Sequence, residues 1–594
     1  MVCHWCHFQI PAPVAVQVSL WTVDSPHRRE RAVNCNMTWI CRTSPRRHVL
    51  RKQWLWRSAI PVVCGLGSTC TSIDAYWIPP LAQPRRCWTQ LTGNPLVPPS
   101  LPCPGRVHRR QLFSSLQQTP MEEEMTLHAR EIVHAAIHAV DPAQAVKAQF
   151  QLNPANSTLQ IGENDSLNLQ DYDEILLVAF GKASSAMATT VLQQLDGRLP
   201  ASGVVICKDD HATLEEMEFL HSQGVQVHMA SHPVPDQRSV QGAALLMDMI
   251  RTRRSPRTLV VCCISGGGSA LFCLPTPSIS LEDLQNVNSI LLASGMGIQD
   301  MNVIRKRLEQ GKGGRLAAEC YPSQLVTLVL SDVLGDPLDL IASGPTVPDS
   351  SSWMDAWKIV KQYELEDRLP EAVVTLLKSG VDHDLPDSPP ISHPIFETSK
   401  TVLVGNNAIA VQAAAEHAKQ LGYYPVILGT QIEGEAKQIP HVYASMALFL
   451  QQQQSSTSFS PFSVAPSLPA ALIAGGETTV TLPPDNQGKG GRNQELALSA
   501  GLILEKMNIR NVVIASAGTD GTDGPTDAAG AVVDASTLRH DLEGAREALR
   551  THNAYTYLNQ LGQGNEKLPG PLIKTGPTGT NVADICVTLV ERAP

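Results

Sequence analysis

Several features that define other protein classes are missing from this sequence. No apolar run is long enough to cross a bilayer as a helix, which argues against an integral membrane protein. Positive charge is in deficit, because 46 Lys and Arg stand against 56 Asp and Glu and the formal net charge is −10. An acidic chain is poorly suited to binding nucleic acid. We therefore expect neither a membrane nor a nucleic acid among its partners.

The usual nucleotide-binding and zinc-binding motifs are also absent. No G-x-x-x-x-G-K-[ST] segment occurs, and neither SGGGSAL (265–271) nor GKGGRN (488–493) matches G-x-G-x-x-G. These absences exclude a standard P-loop NTPase and remove the best evidence for a dinucleotide-binding fold. The C-x-x-C formed by Cys3 and Cys6 lacks the second pair that a zinc site needs. The six cysteines after residue 120 fall mostly in apolar runs, which is typical of reduced core residues.

Residues 1–120 differ in composition from the rest of the chain. They hold 14 Lys and Arg but 3 Asp and Glu, a formal charge of +11, whereas the remainder carries −21. Without sustained helical or strand periodicity, this segment is predicted to be a basic, non-globular extension. The Arg-rich, acid-poor stretch 105–118 is typical of an organelle presequence. A long presequence, or an isoform-specific or spurious extension ahead of a short one, both stay open, and the expected location is mitochondrial or cytoplasmic.

From about residue 121 the apolar residues become regular. Short apolar runs of strand length alternate with longer segments of helical periodicity, for example 183–195 and 239–250. Strands that alternate with helices form right-handed βαβ units, so this pattern predicts an α/β protein with a parallel sheet. The predicted strands are 174–180, 203–208, 225–230, 258–264, 325–331, 401–405 and 425–429.

A composition change near residue 451 divides the regular part in two. Residues 451–469 are rich in Gln, Ser and Pro with almost no charge, which predicts a linker or surface loop. Beyond it, three apolar runs and one helical segment predict a second, smaller α/β unit. The predicted domains are therefore 121–450 and 470–594, and a chain of 594 residues is long enough for both.

Many of the predicted strands end in glycine-rich loops. In open α/β sheets, ligands bind outside the carboxyl ends of the strands. A glycine-rich turn that leads into a helix presents free main-chain N–H groups, which favour phosphate. Such a series of loops is more than turn formation requires. The loops are Gly181-Lys182, SGGGSA (265–270), SDVLGDP (331–337), GGETTV (475–480), GKGGRNQE (488–495), SAGTDGTDGPTDAAGA (516–531) and KTGPTGTN (574–581).

Two cations in these loops are candidates for the site. Lys182 and Arg492 stand at predicted helix starts, where a positive charge is unfavourable unless an anion is near. The alternative for each is a surface residue that happens to begin a helix. The segment Ser265, Gly266, Gly267, Gly268 and Ser269 is the candidate phosphate cradle, and its alternative is a tight turn.

The acidic candidates are Asp332, Asp520 and Asp523. Their carboxylates could hold a hydrated Mg²⁺ or accept a hydroxyl proton. The alternative is structural, because Asp is common at helix N-caps and in Asx turns; Asp336 has the same two interpretations. Weaker candidates are Asn407, Glu477 and Asn581.

Several of these motifs together carry a resemblance to a known family. FGKA (180–183), ISGGGSAL (264–271), SDVLGDPLDLIASGPT (331–346), GGRNQELAL (490–498) and GTDGTDGPTDAAGA (518–531) resemble class II glycerate kinases over nearly all of residues 121–594. Each motif alone is weak, but their combination is specific. The resemblance implies a Rossmann-like parallel sheet with helices on both faces, and a smaller α/β domain of the MOFRL type.

The resemblance also implies an activity, which is ATP-dependent phosphorylation of D-glycerate to 2- or 3-phosphoglycerate in serine, fructose and glycerate catabolism. The family's active-site lysine, arginine and aspartate match Lys182, Arg492 and Asp520, the last of which we expect to activate the attacking hydroxyl. The expected cofactors are ATP, on the 265–269 loop with Asn407, and Mg²⁺, on Asp332 or Asp523. We expect the active site in a cleft between the two domains, and a homodimer stays open.

Two other functions fit parts of the pattern. A hydroxypyruvate-type oxidoreductase would use a similar sheet and a similar small acid, but the dinucleotide fingerprint is missing. A non-catalytic nucleotide or sugar-phosphate sensor would explain the loops without needing Lys182, Arg492 and Asp520.

Overall fold

The computed structural model describes residues 14–22, 33–41, 120–382, 384–453, 467–562 and 569–594. The chain divides into two units, Met1–Cys103 and Pro104–Pro594. In the first unit, strands β1 (Val14–Thr22) and β2 (Val33–Cys41) pair antiparallel. The predicted presequence segment, the Cys3 and Cys6 pair and most of the predicted linker lie outside the described residues. No helix in the described ranges is long and apolar enough to span a membrane.

The described part of the second unit starts with two helices and with a small antiparallel sheet, and the apolar pattern did not predict the sheet. Its strands are four residues each and partly polar, so they carry little periodic signal. The sheet order is β3-β4-β5. These elements are α1 (Pro120–Ala139), α2 (Pro142–Gln149), β3 (Phe150–Asn153), β4 (Thr158–Ile161) and β5 (Asp165–Asn168).

A six-stranded, fully parallel sheet forms the centre of residues 174–405. Its strands are β6 (Glu174–Phe180), β7 (Ala201–Lys208), β8 (Val225–Ala230), β9 (Thr258–Ile264), β10 (Gln324–Leu330) and β11 (Lys400–Gly405). The spatial order is β11-β10-β9-β6-β7-β8. With β6 counted as strand one, this is the doubly wound order 3-2-1-4-5-6 read from the other edge. The predicted parallel sheet is confirmed, and six of its strand positions agree with the apolar runs.

Helices connect these strands and cover both faces of the sheet. Alternate residues of a strand point to opposite faces, so Leu177 packs in one buried cluster and Val178 in another. The first cluster includes Val191 of the helix after β6, and the second includes Leu246 of the helix before β9. The helices are α3 (Ser184–Leu195), α4 (Leu214–Ser222), α5 (Gln237–Arg253), α6 (Gly268–Leu271), α7 (Leu281–Ala293), α8 (Ile298–Leu308), α9 (Arg315–Cys320), α10 (Trp353–Gln362), α11 (Glu371–Val381), α12 (Pro394–Thr398) and α13 (Asn407–Gln420).

A second six-stranded sheet is mixed. Its order is β12-β13-β17-β14-β15-β16, in which β12 and β13 are parallel and the other neighbours antiparallel. The strands are β12 (Tyr424–Glu435), β13 (Ala470–Thr479), β14 (Val512–Gly518), β15 (Gly530–Asp534), β16 (Leu572–Ile573) and β17 (Asp584–Val590). The accompanying helices are α14 (Pro440–Gln453), α15 (Arg492–Lys506), α16 (Leu542–Arg550) and α17 (Ala554–Leu561).

One strand lies in a different sheet from the one its sequence suggested. The apolar run 425–429 looks like a further strand of the first sheet, but β12 pairs with β13 in register from Tyr424 opposite Ala470. The two paired strands lie on either side of residues 454–466, and local periodicity does not predict a contact between segments this far apart in the chain. Strand β12 therefore belongs to the second sheet, together with helix α14, although both precede the predicted linker.

Helix α1, near the start of the second unit, packs against strand β17 near the end of the chain. Ile132 is fully buried in one continuous cluster with Leu328 of β10 and Val587 of β17. Polar contacts add to this, since Glu122 Oε1 accepts a hydrogen bond from the Asn511 main-chain N–H at 3.2 Å. The two sheets thus share a core in which α1 is an integral part.

We predict that a chain beginning at Met121 folds, whereas a chain beginning at Pro142 does not. The first keeps all the buried residues of α1, and the second uncovers Ile132 and the apolar side chains packed on it. Circular dichroism melting and size-exclusion chromatography of the two chains test this. Loss of cooperative melting in the chain that begins at Met121 would contradict it.

Candidate active site

The parallel sheet reverses its strand order between β6 and β9. Ligands of open α/β sheets bind at the carboxyl ends of the strands at such a reversal. The two loops that leave these strands are tied together there: the Lys182 main-chain N–H donates to Gly266 O at 2.9 Å, and the Ala183 N–H donates to Ser265 Oγ at 3.0 Å. The structure thus brings the predicted lysine and the predicted glycine-rich loop to one point.

Two glycines of this loop are required by close neighbours. A Cβ at Gly266 would lie 2.2 Å from Oδ2 of Asp332, and a Cβ at Gly267 would lie 2.9 Å from the ring of His232. Gly267 also has φ +80°, in the left-handed region that favours glycine. The main chain of the loop therefore lies directly against a carboxylate and an imidazole.

The serine side chains at the two ends of the loop have protein partners. Ser265 Oγ accepts from Ala183, as described above, and Ser269 Oγ lies 3.0 Å from Ser343 Oγ. Ser343 in turn donates to Asn302 Oδ1 at 2.9 Å. These hydroxyls hold the loop in shape, so a phosphate would be bound by main-chain N–H groups rather than by the serine side chains.

His232 is a site residue that the sequence did not single out. Burial lowers the pKa of its imidazole to about 4, and the nearby positive charges of Lys182 and Lys208, with His211, act in the same direction. The imidazole is therefore neutral at pH 7. It touches Gly267, so it contributes a hydrogen-bonding group beside the loop without adding charge.

Asp332 follows β10 and faces the same loop. Burial raises the pKa of its carboxyl, and the Lys182 ammonium opposes that shift. No other residue in the described part of the chain donates a hydrogen bond to the carboxylate. Asp332 is thus a partly buried acid whose oxygens are available to a ligand.

The second sheet contributes an arginine held by two acids. Arg492, the first residue of α15, binds Asp584 with Nε at 2.6 Å and Nη2 at 2.9 Å, and its Nη1 lies 2.9 Å from Glu477 Oε1. Asn493 Nδ2 adds a bond to Asp584 Oδ1 at 3.0 Å. The planar fork of Arg492 is therefore occupied by Asp584, and its positive charge is shared with Glu477.

Four carboxylates from the two sheets influence one another around Arg492. Burial raises the pKa of Glu477, Arg492 opposes this, and the charges of Asp584, Asp332 and Asp520 raise the pKa further. Because the charge of Asp332 acts on Glu477, the acids that follow β10 and those of the second sheet lie within electrostatic range. With Lys182 the group carries a formal excess of two negative charges when all members are ionised.

Asp520 lies beside Asp584 at the end of β14. A Cβ at Gly518 would lie 3.3 Å from Asp520 Oδ1 and 3.5 Å from Asp584 Oδ1, so the two carboxylates approach the same glycine. Asp520 Oδ1 accepts from the Thr522 N–H at 3.0 Å, which is an Asx turn. Its Oδ2 has no hydrogen-bond partner in the described ranges, so the turn and a ligand contact are compatible.

Asp523 has a different position from the one expected of a metal ligand. Its Oδ1 accepts from the Asn493 N–H at 3.1 Å, and its Oδ2 from the Gln494 N–H at 2.8 Å. Burial raises the pKa of Asp523 to about 7, and these N–H groups oppose the shift. Both oxygens satisfy the first turn of α15, which has glycine as N-cap residue. The capping interpretation therefore accounts for Asp523, and the metal hypothesis loses its support there.

Asn407 also serves the protein itself. Its Nδ2 donates to Val582 O at 2.8 Å and Asp584 O at 3.1 Å. Its Oδ1 is buried without a partner and faces Gly475, where a Cβ would lie 1.7 Å away. The side chain thus joins the start of α13 to the start of β17, a position that does not support the predicted contact to ATP.

Asp584 was missed by the sequence analysis although a signal existed. It is the first residue of the otherwise apolar strand β17 and is only 6% exposed. A charged side chain at such a position requires a partner, and Arg492 is that partner. The sequence did not show which cation pairs with Asp584, because Arg492 lies 92 residues away in the chain.

A doubly wound sheet with a lysine and a glycine-rich loop at its switch point is typical of an α/β protein that binds a small charged ligand. The second sheet of this chain adds an arginine and several acids. Comparison with protein families agrees with this: a model described as "Domain of unknown function (DUF4147)" matches residues 128–378, and the MOFRL family model matches residues 470–584. The chain belongs to the glycerate kinase family, which contains both regions.

The matches to individual relatives cover almost the whole length of each relative. The D-glycerate 2-kinase of Thermotoga maritima is 37% identical over 471 residues, which cover 79% of this chain and 99% of the relative. A glycerate kinase of Mus musculus is 33% identical, covering 83% of this chain and 98% of the relative. A crystal structure of Thermotoga maritima glycerate kinase superposes with a TM-score of 0.65 at 36% identity, covering 79% of this chain and all of that one.

We predict that Arg492 and Asp584 stabilise the fold as a pair. Arg492→Lys and Asp584→Asn should each lower the melting temperature, because each leaves the partner with fewer hydrogen bonds, at about 1–3 kcal/mol. In the double variant the loss should be smaller than the sum, by about 1 kcal/mol or more. Melting curves of the four proteins test this; additive losses would contradict the pair. Arg546→Lys is the control, since Arg546 pairs with Glu543 on the surface.

We also predict that His232 lowers stability in acid. Its folded pKa of about 4 lies below the ordinary value of 6.5, so between these values the unfolded chain binds more protons and stability rises with pH. His232→Gln removes this effect, and the fall in melting temperature from pH 7 to pH 5 should shrink by roughly 1–2 °C. Calorimetry at both pH values tests this, with His540→Gln at an exposed position as control. An unchanged fall would contradict the prediction.

Proposed function

We propose that this chain is an ATP-dependent glycerate kinase that phosphorylates D-glycerate. The observation that carries the proposal is the meeting of Lys182 with the 265–269 loop at the switch point of the parallel sheet. Membership of the glycerate kinase family supports the same reaction. The missing dinucleotide fingerprint disfavours the hydroxypyruvate-type oxidoreductase. A free carboxylate oxygen at Asp520, close to Asp584, disfavours a sensor that only binds.

We further propose that the active site lies between the two sheets. The support is electrostatic, because the carboxyl of Glu477 on β13 responds to the charge of Asp332 after β10. Ligands would then contact loops of both halves. Such an arrangement allows closure on binding, which excludes water during phosphoryl transfer.

The first sheet supplies the groups that would hold phosphate. The main-chain N–H groups of Gly266 and Gly267 donate to no group in the described part of the chain, whereas the Gly268 N–H donates to Ser265 O at 3.2 Å. The serine hydroxyls of the loop have protein partners. The ammonium of Lys182 would neutralise charge on the transferred group, and neutral His232 would add a hydrogen bond. Phosphoryl transfer depends mainly on such positioning and charge neutralisation.

The acids fit a magnesium ion that is shared with phosphate. The described residues contain no group of three His, Cys, Asp or Glu close enough to hold a metal by themselves. Mg²⁺ in kinases usually takes one or two carboxylates, with substrate oxygens and water completing its shell. Asp332 offers free oxygens for this, and the local negative excess favours a cation. When bound, the ion would neutralise phosphate charge.

Arg492 and Asp520 would have separate roles toward glycerate, the phosphoryl acceptor. The fork of Arg492 is held by Asp584, so the N–H groups that remain would attract the glycerate carboxylate as a fixed positive charge rather than as a bidentate clamp. Asp520 Oδ2 would accept the proton of the attacking hydroxyl. Phosphorus NMR of the product formed from D-glycerate and Mg-ATP tests the reaction, and shows whether C2 or C3 carries the phosphate. Oxidation of NADH by hydroxypyruvate, without phosphoryl transfer, would overturn it.

We predict that Asp520→Asn lowers kcat by about 10²–10⁴ with little change in ATP binding. The amide is nearly isosteric and still accepts the Thr522 N–H, but it cannot take a proton. Asp527→Asn is the matched control in the same loop, where Asp527 binds Tyr555 and Lys574 at the surface. Steady-state kinetics of both variants test this. A kcat for Asp520→Asn within about threefold of the unmodified protein would limit Asp520 to its turn.

A further inference from the structure

A cavity of about 260 Å³ lies beside the glycine-rich loop, with Gly267 and Ser269 in its wall. Its other walls are largely apolar and include Val234 and Leu292. These two side chains are 56% and 65% exposed, which is a large apolar exposure for neighbours in one cavity. A ligand with a flat apolar face would cover them.

Two amide side chains one turn apart on α7, Gln285 and Asn288, line this cavity, and each keeps one polar atom without a protein partner among the described residues. Gln285 Nε2 donates to Pro235 O at 2.7 Å, which leaves Oε1 as a free acceptor. Asn288 Oδ1 accepts from Arg305 Nε at 2.7 Å, which leaves Nδ2 as a free donor. Each amide orientation is fixed by its partner, because a carbonyl can only accept and a guanidinium can only donate. Neither free atom has a hydrogen-bond partner in the described ranges.

An acceptor next to a donor is complementary to the edge of adenine. Its 6-amino group donates and its adjacent ring nitrogen accepts. Hypoxanthine and guanine present the opposite pattern, an oxygen at position 6 and a ring N–H. At about 260 Å³, the cavity lies just below the roughly 300–1,000 Å³ of sites for drug-sized ligands.

We propose that this cavity binds the adenine of the phosphoryl donor, with Gln285 Oε1 and Asn288 Nδ2 reading its edge. The inference rests on the proposed kinase function and names the base site of its donor. Gly267 links the two regions, since it lines the cavity and a Cβ there would lie 3.4 Å from Lys182 Cγ. The base would lie among the apolar side chains, with the phosphates directed along the loop toward Lys182.

The rival occupant of the cavity is glycerate, with its carboxylate on Arg305. Arg305 is partly buried, and burial lowers the pKa of its guanidinium. The other cation in the wall, Lys312, is already paired with Glu309. The apolar walls disfavour glycerate, because a three-carbon hydroxy acid has no apolar face to bury against Val234 and Leu292.

The first measurement uses the unmodified protein. Isothermal titration calorimetry without glycerate should show ADP bound at least about tenfold more tightly than IDP, because the 6-oxygen of hypoxanthine would face the Gln285 acceptor. The two ligands carry the same phosphates and ribose. Equal affinities would overturn the proposal.

The second measurement uses Asn288→Asp, with Asn286→Asp as the matched control on the exposed side of α7. The change at Asn288 keeps an acceptor for Arg305 but removes the free donor. ADP affinity should fall at least about tenfold, whereas affinity for inorganic tripolyphosphate should not change. The control should keep both affinities. Equal weakening of ADP and tripolyphosphate would show a charge effect and overturn the base site.

The adenine site and the kinase function can be tested separately. A raised KM for D-glycerate in Asn288→Asp, with ADP affinity unchanged, would assign the cavity to glycerate and overturn the proposal. Because ADP binding is measured without turnover, a chain that binds ADP selectively but transfers no phosphate refutes the kinase function alone. An active kinase with no preference for ADP over IDP refutes the adenine site alone.

Discussion

The balance of charge around Arg492 is the constraint on which the site depends. Two acids, Asp584 and Glu477, bind its guanidinium directly, and the charges of Asp332 and Asp520 in the neighbouring loops raise the pKa of Glu477. Grouping one buried and three partly buried carboxylates is unfavourable unless a cation compensates them. One arginine satisfies Asp584 fully and Glu477 in part, which leaves a negative excess. That excess favours a cation, so in the proposed function a divalent ion would have to accompany the anionic phosphates.

At the switch point of the parallel sheet, the geometry depends on close approach of the main chain. Gly266 and Gly267 let the loop after β9 lie against Asp332 and His232, and no larger residue would fit. The hydroxyls of Ser265 and Ser269 are used to hold that loop rather than to face a ligand. The loop is thus rigid before any ligand binds, which lowers the entropic cost of binding.

The two sheets contribute different chemistry. The parallel sheet supplies cationic and main-chain donor groups at its switch point, together with the cavity, whereas the mixed sheet supplies most of the acids and the arginine. Their relative position is set by a shared core that includes Ile132 of α1 and Val587 of β17. A helix from the start of the unit thus fixes the strands that end it. Stability and site geometry are coupled through these packing contacts.

The sequence by itself determined the parallel sheet, its strand positions and the candidates Lys182, Arg492 and Asp520, because periodicity and loop composition are local signals. Tertiary structure alone decided which residues meet. It placed β12 in the second sheet, gave Asp523 to the first turn of α15, and paired Arg492 with Asp584. These outcomes depend on contacts between residues far apart in sequence, and a carboxylate looks the same in a sequence whether it caps a helix, holds an arginine or meets a ligand.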